Sequence, residues 1–139
     1  MKEEKKTQRL FSKYIEDETL GMGFWLIVGD YDKTIKKIKK IIQNKDFNYS
    51  RGGAEGMFLK YESNSGDRYN FLWIGDFDWT IESIGILCHE LIHRAFETAK
   101  QLDFRINSNN EELFAYHYED IIKKVLRVLN RANLKGGDD

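Results

Sequence analysis

The second half of the chain carries the strongest helical pattern. Apolar residues recur at helical spacing between positions 84 and 95 and form a stripe along one face. Asp78 or Thr80 precedes this stripe and can cap the first turn, because a side-chain oxygen there accepts a backbone N–H. The pattern predicts a long helix that ends near residue 101. The stripe consists of Ile84, Leu87, Cys88, Leu91 and Ala95.

Two further segments have helical periodicity. Isoleucines at positions 35, 38, 41 and 42 are interleaved with lysines within 32–45, which predicts an amphipathic helix with a solvated basic face. After a polar connection at Asn107–Asn110, a last helix is predicted from about 110 to 133. Its buried side is marked by Leu113, Val125, Leu126 and Leu129.

Three apolar runs predict strands. Residues 24–28 are aromatic and β-branched and lie between two glycines, which favours a short buried strand. The runs 57–62 and 68–74 are separated by residues that favour turns, so they predict a hairpin. The first 20 residues are charged with few apolar positions, and we expect a helix or an arm there.

This order of elements predicts one small α+β domain, with a mainly antiparallel sheet and a backing helix. A length of 139 residues suits a single domain. We expect this domain to span 22–133. An N-terminal arm or helix at 1–21 precedes it, and a disordered tail at 134–139 follows it.

The amino-acid composition indicates a folded domain and argues against some kinds of binding partner. Hydrophobic residues make up 41% of the chain, enough for a packed core. The 22 basic and 23 acidic residues nearly balance, so neither nucleic acid nor a membrane is expected as a partner. No apolar run approaches the roughly 20 residues that span a bilayer. Cys88 is the only cysteine and no secretory signal is visible, so we expect a cytoplasmic protein.

The sequence His89-Glu90-Leu91-Ile92-His93 matches H-E-x-x-H and lies inside the strongest predicted helix. A spacing of four residues puts both imidazoles on one face, about one turn apart. Two nitrogens so placed can bind one Zn²⁺, and Glu90 can act as a general base beside it. The alternative is a surface helix that carries two histidines by chance.

The motif resembles the active-site helix of the zincin superfamily of metallopeptidases. Metzincins have a glycine three residues and a histidine six residues after the second histidine, but Phe96 and Ala99 occupy those positions here. Gluzincins instead take a glutamate from a following helix. The stretch that starts at Glu111, about twenty residues downstream of the motif, is similar to their E-x-x-A signature.

This resemblance implies a minimal zincin-like core with one Zn²⁺ per chain. It implies His89, His93 and Glu112 as metal ligands, Glu111 as the fallback, and Ala115 as the small residue between the helices. Tyr116 stands where several gluzincins have an acidic residue, so the surroundings of the ligands depart from the family pattern. Small proteins of this kind also resemble phage-encoded metallopeptidase-like proteins, in which case a virion-associated location is the alternative.

The expected function is therefore zinc-dependent hydrolysis of a peptide or protein substrate, with Glu90 as the general base. We expect 68–74 to be the sheet edge that an extended peptide joins and 51–56 to be a loop over the cleft. Arg94 is expected on the surface, and His117 is expected to be structural or exposed. The alternative function is a non-catalytic zinc-binding structural or assembly domain. A weaker third hypothesis, a DNA- or repressor-associated protein, depends on the basic helix.

Overall fold

The structure, a computed structural model, describes residues 9–132 and residue 134. It has four strands and three helices in this part of the chain. The sheet order is β1-β2-β4-β3, in which β2 and β4 are parallel and the two outer pairs are antiparallel. The elements are β1 (Phe11–Ile15), β2 (Phe24–Val28), α1 (Tyr31–Ile42), β3 (Gly56–Glu62), β4 (Arg68–Ile74), α2 (Ile81–Gln101) and α3 (Glu111–Ala132).

The sheet separates two layers of helix. Because successive strand residues point to opposite faces, Ile27 and Trp73 pack with α1, whereas Leu26, Leu72 and Ile74 pack with α2 and α3. This arrangement confirms the predicted small α+β fold. The predicted helices, the strand at 24–28 and the hairpin are all present, with boundaries within a few residues of those expected.

The expectation of a helix or arm over residues 1–20 is wrong for residues 11–15, which form strand β1. This strand pairs antiparallel with β2 in the register Phe11 to Val28. The Tyr14 ring packs edge-on against Trp25, with ring centroids 5.5 Å apart, and Ile15 is buried in the core. Aromatic and β-branched residues on a half-buried surface favour a strand. Residues 1–8 and 135–139, which include most of the expected tail, lie outside the described residues.

The order of the strands corrects a second expectation. The segment 68–74 is the central strand β4, which lies between β2 and β3, so its backbone edges are already paired. The run from Phe71 to Ile74 is fully buried, as is typical of a strand covered on both faces. The sheet edge next to α2 is therefore β3, at Gly56–Glu62.

Helix α2 begins at a well-defined cap and lies across β3 and β4. The Thr80 side chain accepts from the backbone N–H of Ser83 and caps the helix. Asp78 in turn accepts from the Thr80 backbone N–H and hydroxyl. No helix in the described part of the chain is long and apolar enough to cross a membrane.

Candidate metal centre

His89 and His93 lie one turn apart on the exposed face of α2. Their Nε2 atoms are 3.2 Å apart, and the two rings are nearly perpendicular. Two imidazole nitrogens bound to one tetrahedral Zn²⁺ at about 2.0–2.1 Å are separated by about 3.3 Å. The pair therefore already has the spacing that one zinc ion requires of two ligands.

Glu90 lies on the side of α2 that faces β3. It is 6% exposed, and burial raises the pKa of its carboxyl group, although the charges of His89 and His93 act in the opposite direction. Among the described residues, no group donates a hydrogen bond to this carboxylate or forms an ion pair with it. The carboxylate lines the open cleft described below, and a raised pKa suits a group that takes up a proton.

The absence of a side chain at Gly56 allows Glu90 to approach the edge strand. A Cβ atom at Gly56 would lie 2.8 Å from Cγ2 of Ile86, 3.1 Å from Cγ of Glu90 and 3.3 Å from its Oε2. These distances are too short for ordinary packing. The start of β3 and the middle of α2 can therefore pack this closely only because residue 56 is glycine.

A cleft of about 660 Å³ runs between the start of β3 and the first half of α2. His89 and Glu90 lie on one wall, and the loop before β3 forms the other, as expected for 51–56. Gly85 leaves the helix surface open on this side, because a Cβ there would contact nothing within 4 Å. The lining residues are Gly53, Glu55, Gly56, Ile81, Glu82, Gly85, Ile86, His89 and Glu90.

The predicted third ligand does not join the histidine pair. Within residues 9–132 and 134, no three His, Cys, Asp or Glu side chains converge on a position that could hold a metal ion. Glu111, Glu112 and Tyr116 are all exposed. The structure thus brings together His89, Glu90 and His93, and it leaves Glu112 apart from them.

The register of α3 against α2 explains this separation. Phe114 stacks on Phe96 with ring centroids 6.3 Å apart, and the Tyr118 hydroxyl donates to the Cys88 carbonyl at 3.1 Å. The two helices are therefore antiparallel, and the two contacts place Glu112 between the levels of Arg94 and Thr98, on the C-terminal side of His93. Glu112 is exposed and does not turn toward the histidine pair.

Glu119, further along α3, is no closer a candidate. Its carboxylate is 2.8 Å from Nζ of Lys123 in an exposed ion pair one turn away. It directly follows Tyr118, whose hydroxyl contacts α2, and successive helical residues diverge by about 100°, so the exposed Glu119 lies off the face that packs on α2.

A buried charge cluster holds α2 and α3 in this register. An Arg94 amino group donates to Asp17 and to the Met22 carbonyl, both at 2.6 Å, and Nε2 of His117 lies 2.9 Å from the same Asp17 oxygen. Arg94 is buried, so its expected surface position is wrong, and His117 has a structural contact. The side chain that joins them, Asp17, lies 77 residues from Arg94, and no local pattern could have identified it.

Asp17 is ionised in this cluster. Burial alone would raise the pKa of Asp17, but the hydrogen bond from Arg94, the Leu20 N–H and the positive charges of Arg94 and His117 outweigh burial and lower the pKa below its ordinary value. Arg94 directly follows His93. The cluster therefore fixes the part of α2 that carries the second histidine.

No protein-family model matches this chain, and neither a curated protein nor a solved structure shows significant similarity to it.

Proposed function

We propose that this protein is a zinc-dependent peptidase with its active site in the cleft between β3 and α2. The observation that carries the proposal is the 3.2 Å separation of the His89 and His93 Nε2 atoms on a helix that also brings Glu90 to the cleft wall. The zincin resemblance of the H-E-x-x-H motif points to the same chemistry. The two imidazoles would hold Zn²⁺, which supplies a Lewis acid that polarises a carbonyl and lowers the pKa of water.

Glu90 has the position and environment of a general base. It lines the same cleft as His89, and its raised pKa brings it closer to the pH at which it must accept and return a proton. In the proposed reaction Glu90 takes the proton of the attacking water and later delivers it to the leaving amine. The cleft walls exclude bulk solvent from one side of this carboxylate.

The substrate of the proposed reaction is an extended peptide that lies beside β3. This strand is the sheet edge nearest α2, and among the described residues no further strand pairs with its outer side, so a peptide could be added there. An added strand would run along the cleft wall past Glu90. The sheet edge proposed to pair with the substrate is therefore β3, and not the segment 68–74 expected from the sequence.

The third protein ligand of the proposed site is expected from α3, and Glu112 is the residue that the family resemblance implies. Glu112 is exposed and does not converge on the histidine pair, so its binding would require the first turns of α3 to move toward α2.

The test of the proposal is a comparison of wild type with Glu90→Gln. Both proteins should bind one zinc per chain, and the variant should cleave a mixed peptide library, read by mass spectrometry, about 10²–10⁴-fold more slowly. Glu62→Gln, an exposed charge at the other end of β3, is the matched control and should cleave like wild type. Equal cleavage by wild type and Glu90→Gln would exclude Glu90 as the base. Bound zinc without any cleavage would favour the non-catalytic zinc-binding domain instead.

A further inference from the structure

A second polar pocket lies between the β3–β4 hairpin and the last turns of α2. It has a volume of about 290 Å³ and shares no lining residue with the cleft beside His89. Glu97 and Gln101 line it from α2, about one and two helical turns beyond His93. This pocket is called the hairpin pocket below. The sheet supplies its other polar side chains, which are Lys60, Glu62, Arg68 and Asn70.

The pairing of β3 with β4 explains why these four side chains of the sheet lie together. Lys60 is opposite Asn70, and Glu62 is opposite Arg68, in the antiparallel register. Because alternate strand residues point to the same face, all four lie on the side that packs on α2, as Leu72 does. The end of the hairpin next to its turn therefore carries polar groups on a face that is otherwise apolar.

Asn70 contributes a buried hydrogen-bond acceptor that has no partner. The residue is 9% exposed, and its side-chain amino group faces the Gly23 carbonyl at 3.5 Å. Its Oδ1 atom is buried and receives no hydrogen bond from the described residues. Exchange of the amide nitrogen and oxygen would bring two oxygens together, so the assignment follows from the contacts. A buried acceptor without a donor is rare in a folded protein.

Gln101 contributes a second acceptor without a partner, from the helix side of the hairpin pocket. Its Nε2 atom donates to Oε1 of Glu97 at 3.3 Å, an arrangement in which the amide must present nitrogen to the carboxylate. The Gln101 Oε1 atom is therefore the acceptor, and it is buried without a donor in the described part of the chain. The sheet wall and the helix wall thus each carry one amide oxygen that lacks a donor.

The charged side chains of the hairpin pocket cancel one another and leave hydrogen-bond donors available. Lys60 and Arg68 are positive, and Glu62 and Glu97 are negative. Nζ of Lys60 is 2.7 Å from Glu97, whereas Nε of Arg68 is 3.8 Å from Glu62, too far for a hydrogen bond. An ammonium group has three N–H donors and a guanidinium has five, so both side chains can donate to a further group.

We propose that the hairpin pocket binds a primary carboxamide, the group at the end of a glutamine or asparagine side chain. A carboxamide has two N–H donors and one carbonyl acceptor. Its N–H groups would satisfy Asn70 Oδ1 and Gln101 Oε1, and its carbonyl would accept from Lys60 or Arg68. Glu97 and Gln101 are only half-buried, so their side chains can move aside as the ligand enters. The inference goes beyond the proposed peptidase function and requires no metal.

Other ligand groups match the hairpin pocket less well. An ammonium or guanidinium would donate to the two amide oxygens, but it would lie beside Lys60 and Arg68 in a pocket without net charge. A carboxylate has no donor for either oxygen, and an apolar side chain would leave both oxygens unsatisfied. Among side-chain groups, the carboxamide supplies two donors and an acceptor together.

The experiment measures the binding of N-acetyl-glutamine N-methylamide to the full chain by NMR titration, with and without zinc. Norleucine, glutamate or lysine replaces the glutamine in three comparison compounds. The glutamine compound should shift backbone resonances at 60–62, 68–70 and 97–101 in both states. It should bind at least about tenfold more tightly than the norleucine compound, because the norleucine side chain leaves buried polar groups unpaired. The glutamate and lysine compounds should also bind more weakly.

Free glutamine, titrated in parallel, distinguishes the two sources of a carboxamide. Binding as tight as that of the blocked compound would assign the hairpin pocket to a free amide. Weaker binding of free glutamine would assign the pocket to a side chain within a polypeptide. Either result supports recognition of the carboxamide itself.

Two variants with apolar side chains of similar shape complete the test. Asn70→Leu and Gln101→Met each remove one oxygen without a donor, and each should lose the preference for the glutamine compound. Neither change should lower the midpoint of urea denaturation, because an unsatisfied buried acceptor contributes no stability. Gln43→Met, at the exposed end of α1 on the other face of the sheet, is the matched control and should keep the preference.

Three results would overturn the inference. The first is the absence of resonance shifts with both carboxamide compounds, or equal or tighter binding of any comparison compound. The second is a preference for glutamine that survives in either Asn70→Leu or Gln101→Met. The third is a lower urea midpoint for Asn70→Leu, which would show that Oδ1 has a structural partner. None of these results bears on zinc binding by His89 and His93, so the proposed function is tested separately.

Discussion

The substitution Asp17→Asn should destabilise the fold by removing the charge that joins α2 to α3. The Asp17 side chain is 1% exposed and accepts hydrogen bonds from Arg94, His117 and the backbone N–H of Leu20. Asparagine retains an acceptor for Leu20. It leaves the Arg94 guanidinium, itself 3% exposed, with the Met22 carbonyl but no counter-charge.

The expected loss is about 3–5 kcal/mol, the usual cost of removing one partner from a buried ion pair. Because domains of this size are stable by only about 5–15 kcal/mol, such a loss should be evident in urea denaturation at pH 7. Asp67→Asn, at an exposed turn, should change the free energy of unfolding by less than about 0.5 kcal/mol. Replacing both charges, as in Asp17→Leu with Arg94→Met, should cost less than the single change, because no uncompensated charge remains.

The effect of Asp17→Asn should also depend on pH. The folded-state pKa of Asp17 is lowered, so its contribution is fully present above the unfolded pKa of about 4 and is lost as pH falls through the folded value. The difference between wild type and Asp17→Asn should therefore be fully present at pH 7 and shrink as the pH falls below about 4. A difference below about 1 kcal/mol at pH 7 would refute the cluster's role, as would a difference that stays undiminished well below about pH 4.

Three further predictions concern packing and the third ligand. Gly56→Ala should cost about 1–3 kcal/mol, because its Cβ must displace Ile86 and the Glu90 stem. Gly85→Ala, which meets nothing within 4 Å, should instead stabilise α2 by about 0.5–1 kcal/mol in thermal or urea unfolding. In competition titrations with a zinc chelator, Glu112→Gln should weaken zinc affinity more than Glu119→Gln, whose exposed side chain pairs with Lys123. Equal zinc affinities of the two variants and wild type would show that neither glutamate is a ligand.

The parts of the fold that were predictable from sequence are those set by local pattern. The long apolar stripe and the Thr80 cap predicted α2 to within a residue at its end, and H-E-x-x-H predicted the pairing of His89 and His93. The continuous apolar run at Phe71–Ile74 is typical of a central strand, so the position of β4 could have been inferred from it. Strand β1 has only five residues, and it takes its conformation from its pairing with β2.

The helix register and the buried charge cluster could not be predicted from one sequence. They depend on contacts between distant residues, such as Phe96 with Phe114 and Asp17 with Arg94. An error in register of one or two turns is invisible in the periodicity of either helix, yet it decides which glutamate lies level with the metal ligands. Candidate ligands on α2 are therefore better determined by the sequence than those on α3.

The central claim is that His89 and His93 together bind one zinc ion. The most direct measurement is the zinc content per chain after dialysis against metal-free buffer, for wild type and for the double variant His89→Ala/His93→Ala. His117→Asn changes the only other histidine and serves as the matched control. We expect about one zinc per chain in wild type and in the control, and none in the double variant. Full retention of zinc by the double variant would contradict a site formed by His89 and His93.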